Sequence, residues 1–170
     1  MHTRTSIMIK PPSMTAANTA LRLIFALAAA GHFAAAYASL GGDAASVDAD
    51  RLHMNVKQPA RLKASANGSY TVNESILPSG TRVRQYLSAS GVVFAVSWSG
   101  PFLPDFRQLL GPHFDTMVAE QAKLTHAGHK FFGLHESGLV IESGGHQRSF
   151  AGRAYLPSAL PPGINVQDIQ

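Results

Sequence analysis

A single small α+β domain, with an antiparallel β-meander and a closing β-hairpin packed on one face by helices, is the fold this sequence predicts. Three observations predict it. Between Tyr70 and Trp98, three strand-like runs alternate apolar and polar residues and are separated by Ser79-Gly80 and Ser90-Gly91. The stretch from Pro104 to Lys123 carries helix signals and an apolar stripe. Residues Leu139 to Leu156 then read as two strands around Gly144-Gly145. A chain of 170 residues, 45% hydrophobic and 14% charged, has the size and composition to bury one core and is unlike a disordered chain.

The first element is an address. Leu21 to Ala38 reads LRLIFALAAAGHFAAAYA, with basic residues before it and the small-x-small pattern Ala36-Tyr37-Ala38 at its end. This predicts a signal peptide over residues 1–38, cleaved after Ala38 to leave Ser39 first, with Met14 as a second candidate start. The competing reading is a transmembrane anchor. The apolar run is short, Ala-rich and interrupted by Gly31 and His32, which argues against a stable anchor. With no Cys in the chain, lipidation of an exported form is excluded, as are disulfides, thiol nucleophiles and Cys-based zinc sites. The expected location is periplasmic or secreted.

The remaining 39–170 form the domain. Ser39 to Gly42 is expected to be flexible, and Asp43 to cap a short helix to Val56 carrying Ala44, Val47, Leu52 and Val56, closed by Pro59. Arg61 to Ala66 predicts an edge strand leading into the turn Asn67-Gly68. Two-residue loops in the meander set Ile76 opposite Val83, Val72 opposite Leu87, Leu87 opposite Phe94 and Val83 opposite Trp98. One face then collects Val72, Ile76, Val83, Leu87, Phe94, Val96 and Trp98. The other collects Thr71, Asn73, Ser75, Arg82, Arg84, Tyr86 and Ser97. Pro104 and Asp105 start a covering helix with Phe106, Leu109 and Leu110, ended by Gly111. Pro112 starts a second with Phe114, Met117 and Val118, running to about Lys123. Thr125 to Lys130 reads as a loop. The closing hairpin sets Leu139 opposite Phe150, Ile141 opposite Arg148 and Ser143 opposite His146. From about Pro157 the tail runs irregularly over the surface.

Charge excludes one partner class. Removing Arg4, Lys10 and Arg22 with the signal leaves 11 basic residues against 10 acidic ones. A net charge of +1 offers no footprint for nucleic acid.

Chemistry is sparse. Of the eight histidines, six survive processing: His53, His113, His126, His129, His135 and His146. His126 and His129, with His135 nearby, are the weak candidates for a metal, but the spacing matches no compact metal motif. No cofactor is predicted. Ser97-Trp98-Ser99-Gly100 lacks the leading Gly of a nucleophile elbow, and Trp98 belongs in the core by register. No catalytic residue is predicted. The candidate binding residues are Arg82, Arg84 and Tyr86, side by side on one strand of the polar face, with His146 and Arg148. Such a face suits an anionic ligand or a partner protein. Arg148 is expected to share a face with Phe150, partly buried and paired, and Arg153 to point the other way.

With these residues assembled, the chain resembles a family of uncharacterised exported proteobacterial proteins, known as a domain of unknown function (DUF2844). The resemblance is carried by Leu40-Gly41-Gly42-Asp43, Ser46-Val47, Leu77-Pro78-Ser79-Gly80-Thr81, Arg84-Gln85-Tyr86 and Val93-Phe94-Ala95-Val96-Ser97-Trp98. It continues through Gly100-Pro101, Pro104-Asp105 and Arg107-Gln108-Leu109-Leu110-Gly111, and closes with Ser143-Gly144-Gly145-His146, Arg148, Phe150 and Gly152-Arg153-Ala154. Arg82 departs from it, standing where the family has an apolar residue. The resemblance implies export in a proteobacterium and supplies no catalytic residues. The leading expectation is a non-enzymatic binding or accessory module whose partner is an envelope protein or small ligand. The alternatives are a small metal-dependent protein or enzyme using the loop histidines, and an envelope structural protein.

Overall fold

Backbone pairing between seven short strands builds one sheet. In the computed structural model, which describes residues 40–56, 61–65, 68–123 and 131–170, it contains β1 (Arg61–Ala64), β2 (Tyr70–Ile76), β3 (Arg82–Ser88) and β4 (Val93–Gly100). It is completed by β5 (Phe131–His135), β6 (Val140–His146) and β7 (Ser149–Tyr155). The order is β1-β2-β3-β4-β7-β6-β5, and every neighbouring pair is antiparallel. The expected α+β class and the meander plus hairpin are therefore present, with β1 at one edge. Strand β5 was not foreseen, because Gly133 interrupts its short apolar pattern. The expected signal peptide, the Thr125–Lys130 loop, Asn67 and Pro59 lie outside the described residues.

Helices cover one face. Helix α1 (Ala44–His53) is capped by Asp43, whose side chain accepts from the Ser46 amide. Asp105 caps the short α2 (Phe106–Leu110), and a 3-10 turn at Gly111–His113 leads into α3 (Phe114–Lys123). Val47, Leu109, Leu110 and Met117 pack against Val83, Val96, Trp98 and Ile141 of the sheet. Trp98 is fully in this core, its ring edge-on to Phe106 at 4.9 Å between centroids. On α1 the buried positions are Ser46, Val47 and Asp50, while Leu52 is 79% exposed.

The register differs from expectation at both ends of β3, and the turns explain why. Leu77 N donates to Thr81 O and Gly80 N to Leu77 O, so Pro78-Ser79-Gly80 forms a three-residue loop with Gly80 at φ +85°. That single extra residue puts Ser75, not Ile76, opposite Val83, and Tyr86, not Leu87, opposite Val72. A one-residue slip exchanges faces. Asn73 and Ser75 therefore lie buried on the helix side, where Asn73 Oδ1 and Ser75 Oγ have no hydrogen-bond partner. Val72 and Ile76 join Arg82, Arg84 and Tyr86 on the opposite face.

The second loop is also one residue longer, since Ser88 N donates to Val92 O. Here a bulge at Phe94 absorbs the difference, as Leu87 pairs with Val93 and Tyr86 with Ala95. Val83 thus meets Trp98 as expected, but Leu87 does not meet Phe94, which belongs to the opposite face.

The closing hairpin turns at Gln147-Arg148, not at Gly144-Gly145. His146 pairs with Ser149 and Ile141 with Ala154, so the expected pairs Leu139–Phe150, Ile141–Arg148 and Ser143–His146 do not form. Gly145 and Gly152 serve close approach within strands. A Cβ on Gly145 would lie 2.2 Å from Ser149 O, and one on Gly152 would lie 2.4 Å from Cζ2 of Trp98. The indole packs directly on the β7 backbone.

The opposite face has its own cover. Residues 157–170, with 3-10 turns at Pro157–Ala159 and Val166–Asp168, lie across it as a strap. Ile169 is buried with Tyr86, Phe94 and Ala95, and Tyr70, Val72, Tyr155, Ile164 and Val166 pack around them. The irregular tail read from the sequence is irregular, and it is also structural.

Candidate binding face

Three rows of residues run across the strap-side face, and each has its own chemistry. In the first, Glu74, Arg84, Ser97, Arg153 and Glu142 stand opposite one another across β2, β3, β4, β7 and β6. Two outer carboxylates hold two inner guanidinium groups. Arg84 Nε donates to Glu74 Oε2 at 2.8 Å, and Arg153 Nη2 to Glu142 Oε2 at 2.7 Å. Glu74 is nearly buried, and the hydrogen bond from Arg84 holds its carboxyl below the usual range. Arg82 Nε lies 3.7 Å from the same Glu74 oxygen, and His135 Nε2 lies 3.4 Å from Glu142 Oε1.

The second row is Val72, Tyr86, Ala95, Tyr155 and Val140. The strap's apolar residues pack against its Tyr86, Ala95, Val72 and Tyr155. The inner arginines and Tyr86 also bind the strap's main chain. Arg153 Nη1 donates to Val166 O at 2.8 Å, Arg84 Nη1 donates to Gln170 O, and Tyr86 OH donates to Gln170 O at 2.9 Å. Gln170 N lies 3.0 Å from the same hydroxyl.

The third row is Arg82, Ser99, Ala151, Gly144 and Phe131. Its middle residues are small, and the strap stops short of it. The result is an open trough of about 730 Å³, lined among others by Arg84, Ser99, Phe131, Glu142, His146 and Ile169. Phe131 is 64% exposed there.

Of the polar face read from the sequence, Arg82, Arg84, Tyr86 and Ser97 lie together here, whereas Thr71, Asn73 and Ser75 fall on the helix side, and the face is not free. Tyr86 is buried under the strap, Arg84 is half-buried between Glu74 and Gln170, and Arg82 stands exposed at the flank. His146, at the end of β6, lines the trough. Arg148 does not share a face with Phe150. It sits exposed in the hairpin turn at φ +63°, because the turn falls there. His126 and His129 lie outside the described residues. Among the described residues, no three His, Cys, Asp or Glu side chains stand close enough to hold a metal ion.

Sequence reasoning missed Phe131, Glu142 as the partner of Arg153, and Asp50. Asp50 is fully buried between α1, β3 and α2. Its Oδ2 accepts from Gln85 Nε2 at 2.8 Å and its Oδ1 from Gln108 Nε2. Burial pushes its pKa from 3.8 up to about 7, against the two amide hydrogen bonds. The signal was its place three residues after Val47 and four before Met54, on the inward stripe of the helix.

A family model described as Protein of unknown function (DUF2844) matches residues 36–169. No curated protein and no solved structure matches the chain.

Proposed function

The chain belongs to the family described as Protein of unknown function (DUF2844), and from that premise we propose that it is an exported proteobacterial binding or accessory module. It works without enzymatic chemistry in the periplasm or the medium. The observation that carries this reading is the open trough beside the clasped strap, where an exposed aromatic ring, His146 and a guanidinium edge surround a floor of small residues. Such a site offers contact and hydrogen bonding rather than an activated nucleophile. Export is supported by the apolar run ending in Ala36-Tyr37-Ala38 and by a family match that begins at residue 36.

Native mass spectrometry of the protein, purified gently from its own host's periplasm or medium, tests both parts. The expected mass begins at Ser39 and carries a bound molecule that is lost in Phe131→Ala and His146→Ala. A mass beginning at Met1 or Met14 removes the export reading. A bound molecule indifferent to both substitutions removes the trough.

A further inference from the structure

We infer that the cradle under the strap is a peptide-binding site, which the chain fills with its own residues 164–170 and which accepts in exchange an apolar segment of a partner protein that takes up the same turned conformation. This rests on the binding-module reading and names its ligand.

The strap is bound as a ligand would be. The sheet's hydrogen bonds to it go to the main chain, from Arg153 to Val166 O, from Arg84 and Tyr86 to Gln170 O, with the Tyr86 hydroxyl also accepting from Gln170 N. Val166 O is an internal main-chain carbonyl, a group common to every peptide. The strap's polar side chains serve the strap itself. Asn165 accepts from the Gln167 amide, and the Gln170 side chain donates to Gln167 O. What the sheet reads in side chains is apolar: Ile169 is 1% exposed, with Ile164 and Val166 beside it.

The strap is also separable. Among the described residues, backbone hydrogen bonds from the amides of Ile164, Asp168 and Ile169 close within the strap, to Pro161, Asn165 and Val166. Lifting it breaks no sheet ladder. Pro161-Pro162-Gly163 precedes it, with Gly163 exposed at φ +77°. The clasp survives its departure, because Glu74 and Glu142 hold Arg84 and Arg153 in place from the far side. A receptor held in its bound form loses less on binding. The trough runs on past Ile169 and Gln170, which gives room for the flanks of a longer partner segment.

The test is fluorescence anisotropy of a labelled synthetic peptide of residues 160–170 against the full chain. In the wild type the tethered strap competes at an effective concentration in the millimolar range. The Ile169→Ala variant weakens that competitor and is expected to bind the peptide at least tenfold more tightly than the wild type. A peptide carrying the same Ile-to-Ala change is expected to lose at least tenfold. A folded Ile169→Ala protein that binds no peptide, or binds both peptides alike, overturns the inference. Native-state hydrogen exchange of the wild type gives a second reading without any variant. The Ile164, Asp168 and Ile169 amides are expected to exchange through a local opening while β4 stays protected, and exchange of both together only by global unfolding overturns it. Retention of a trough ligand in that case leaves the binding-module reading standing, whereas loss of both ends both.

Discussion

Replacing Asp50 by Asn is expected to remove a pH dependence that the wild-type fold carries in its core. Asp50 has no solvent exposure, and desolvation raises its pKa from 3.8 to about 7 although Gln85 and Gln108 both donate to it. Below pH 3.8 the carboxyl is protonated in both the folded and the unfolded chain, and it costs nothing. Between 3.8 and 7 the unfolded chain releases the proton while the folded one retains it, so stability falls as pH rises. Above 7 both are ionised and the loss is complete. At ~1.4 kcal/mol per pH unit the whole window amounts to about 4 kcal/mol. Asn keeps the shape and the hydrogen-bonding capacity of the neutral acid, since either glutamine amide can turn to present its oxygen to the new NH2. Urea denaturation followed by the single tryptophan, Trp98, at pH values from 4 to 8 reads the difference between the two proteins, in which the other titrating groups cancel. Asp50→Asn should match the wild type near pH 4 and exceed it by up to ~4 kcal/mol at pH 8. A difference that stays level across the range would mean that the buried carboxyl is ionised at its ordinary pKa, and the reasoning would fail.

Two further substitutions test the sheet. Gly152→Ala drives a Cβ to 2.4 Å from the Trp98 ring and 2.5 Å from Glu142 O, and should lower stability by about 1–3 kcal/mol with a change in Trp98 fluorescence. Glu74→Gln acts at acid pH with the opposite sign to Asp50. Arg84 lowers the Glu74 pKa, so its contribution is present above 4.5 and disappears as pH falls through the lowered value. The variant should be about 1–2 kcal/mol less stable than the wild type at pH 6 and converge with it in acid, and a gap of constant size would contradict the ion pair.

The fold was legible wherever a local pattern and its tertiary setting agree. Asp43 and Asp105 cap helices because their carboxylates reach free amides two or three residues on, which spacing alone discloses. The β2–β3 register was not legible, because Ser-Gly ends a two-residue and a three-residue loop equally well and only the Leu77–Thr81 hydrogen bond tells them apart. Likewise Gly144 and Gly145 look like a turn until they are seen paired with Ala151 and Phe150 of β7, with Gly145 pressed against Ser149. Of the site, Arg82, Arg84 and Tyr86 share a face as residue alternation suggests, and His146 comes to line the same trough as Arg84 because the hairpin turns at Gln147-Arg148. That Tyr86 is buried there depends on Ile169, more than eighty residues away, and no local signal carries that contact.

The row Glu74, Arg84, Ser97, Arg153 and Glu142 has the same order of residue types from either end, with Ser97 at its centre. The clasp supplies a guanidinium on each side of Ser97, from Arg84 to Gln170 O and from Arg153 to Val166 O. The two sides differ in what stands beside the guanidinium, because on the β3 side the Tyr86 hydroxyl binds both the O and the N of Gln170 and Ile169 is buried against Tyr86. Chain direction in this cradle therefore rests on the β3 side of the clasp, where the phenol and the Ile169 contact lie together.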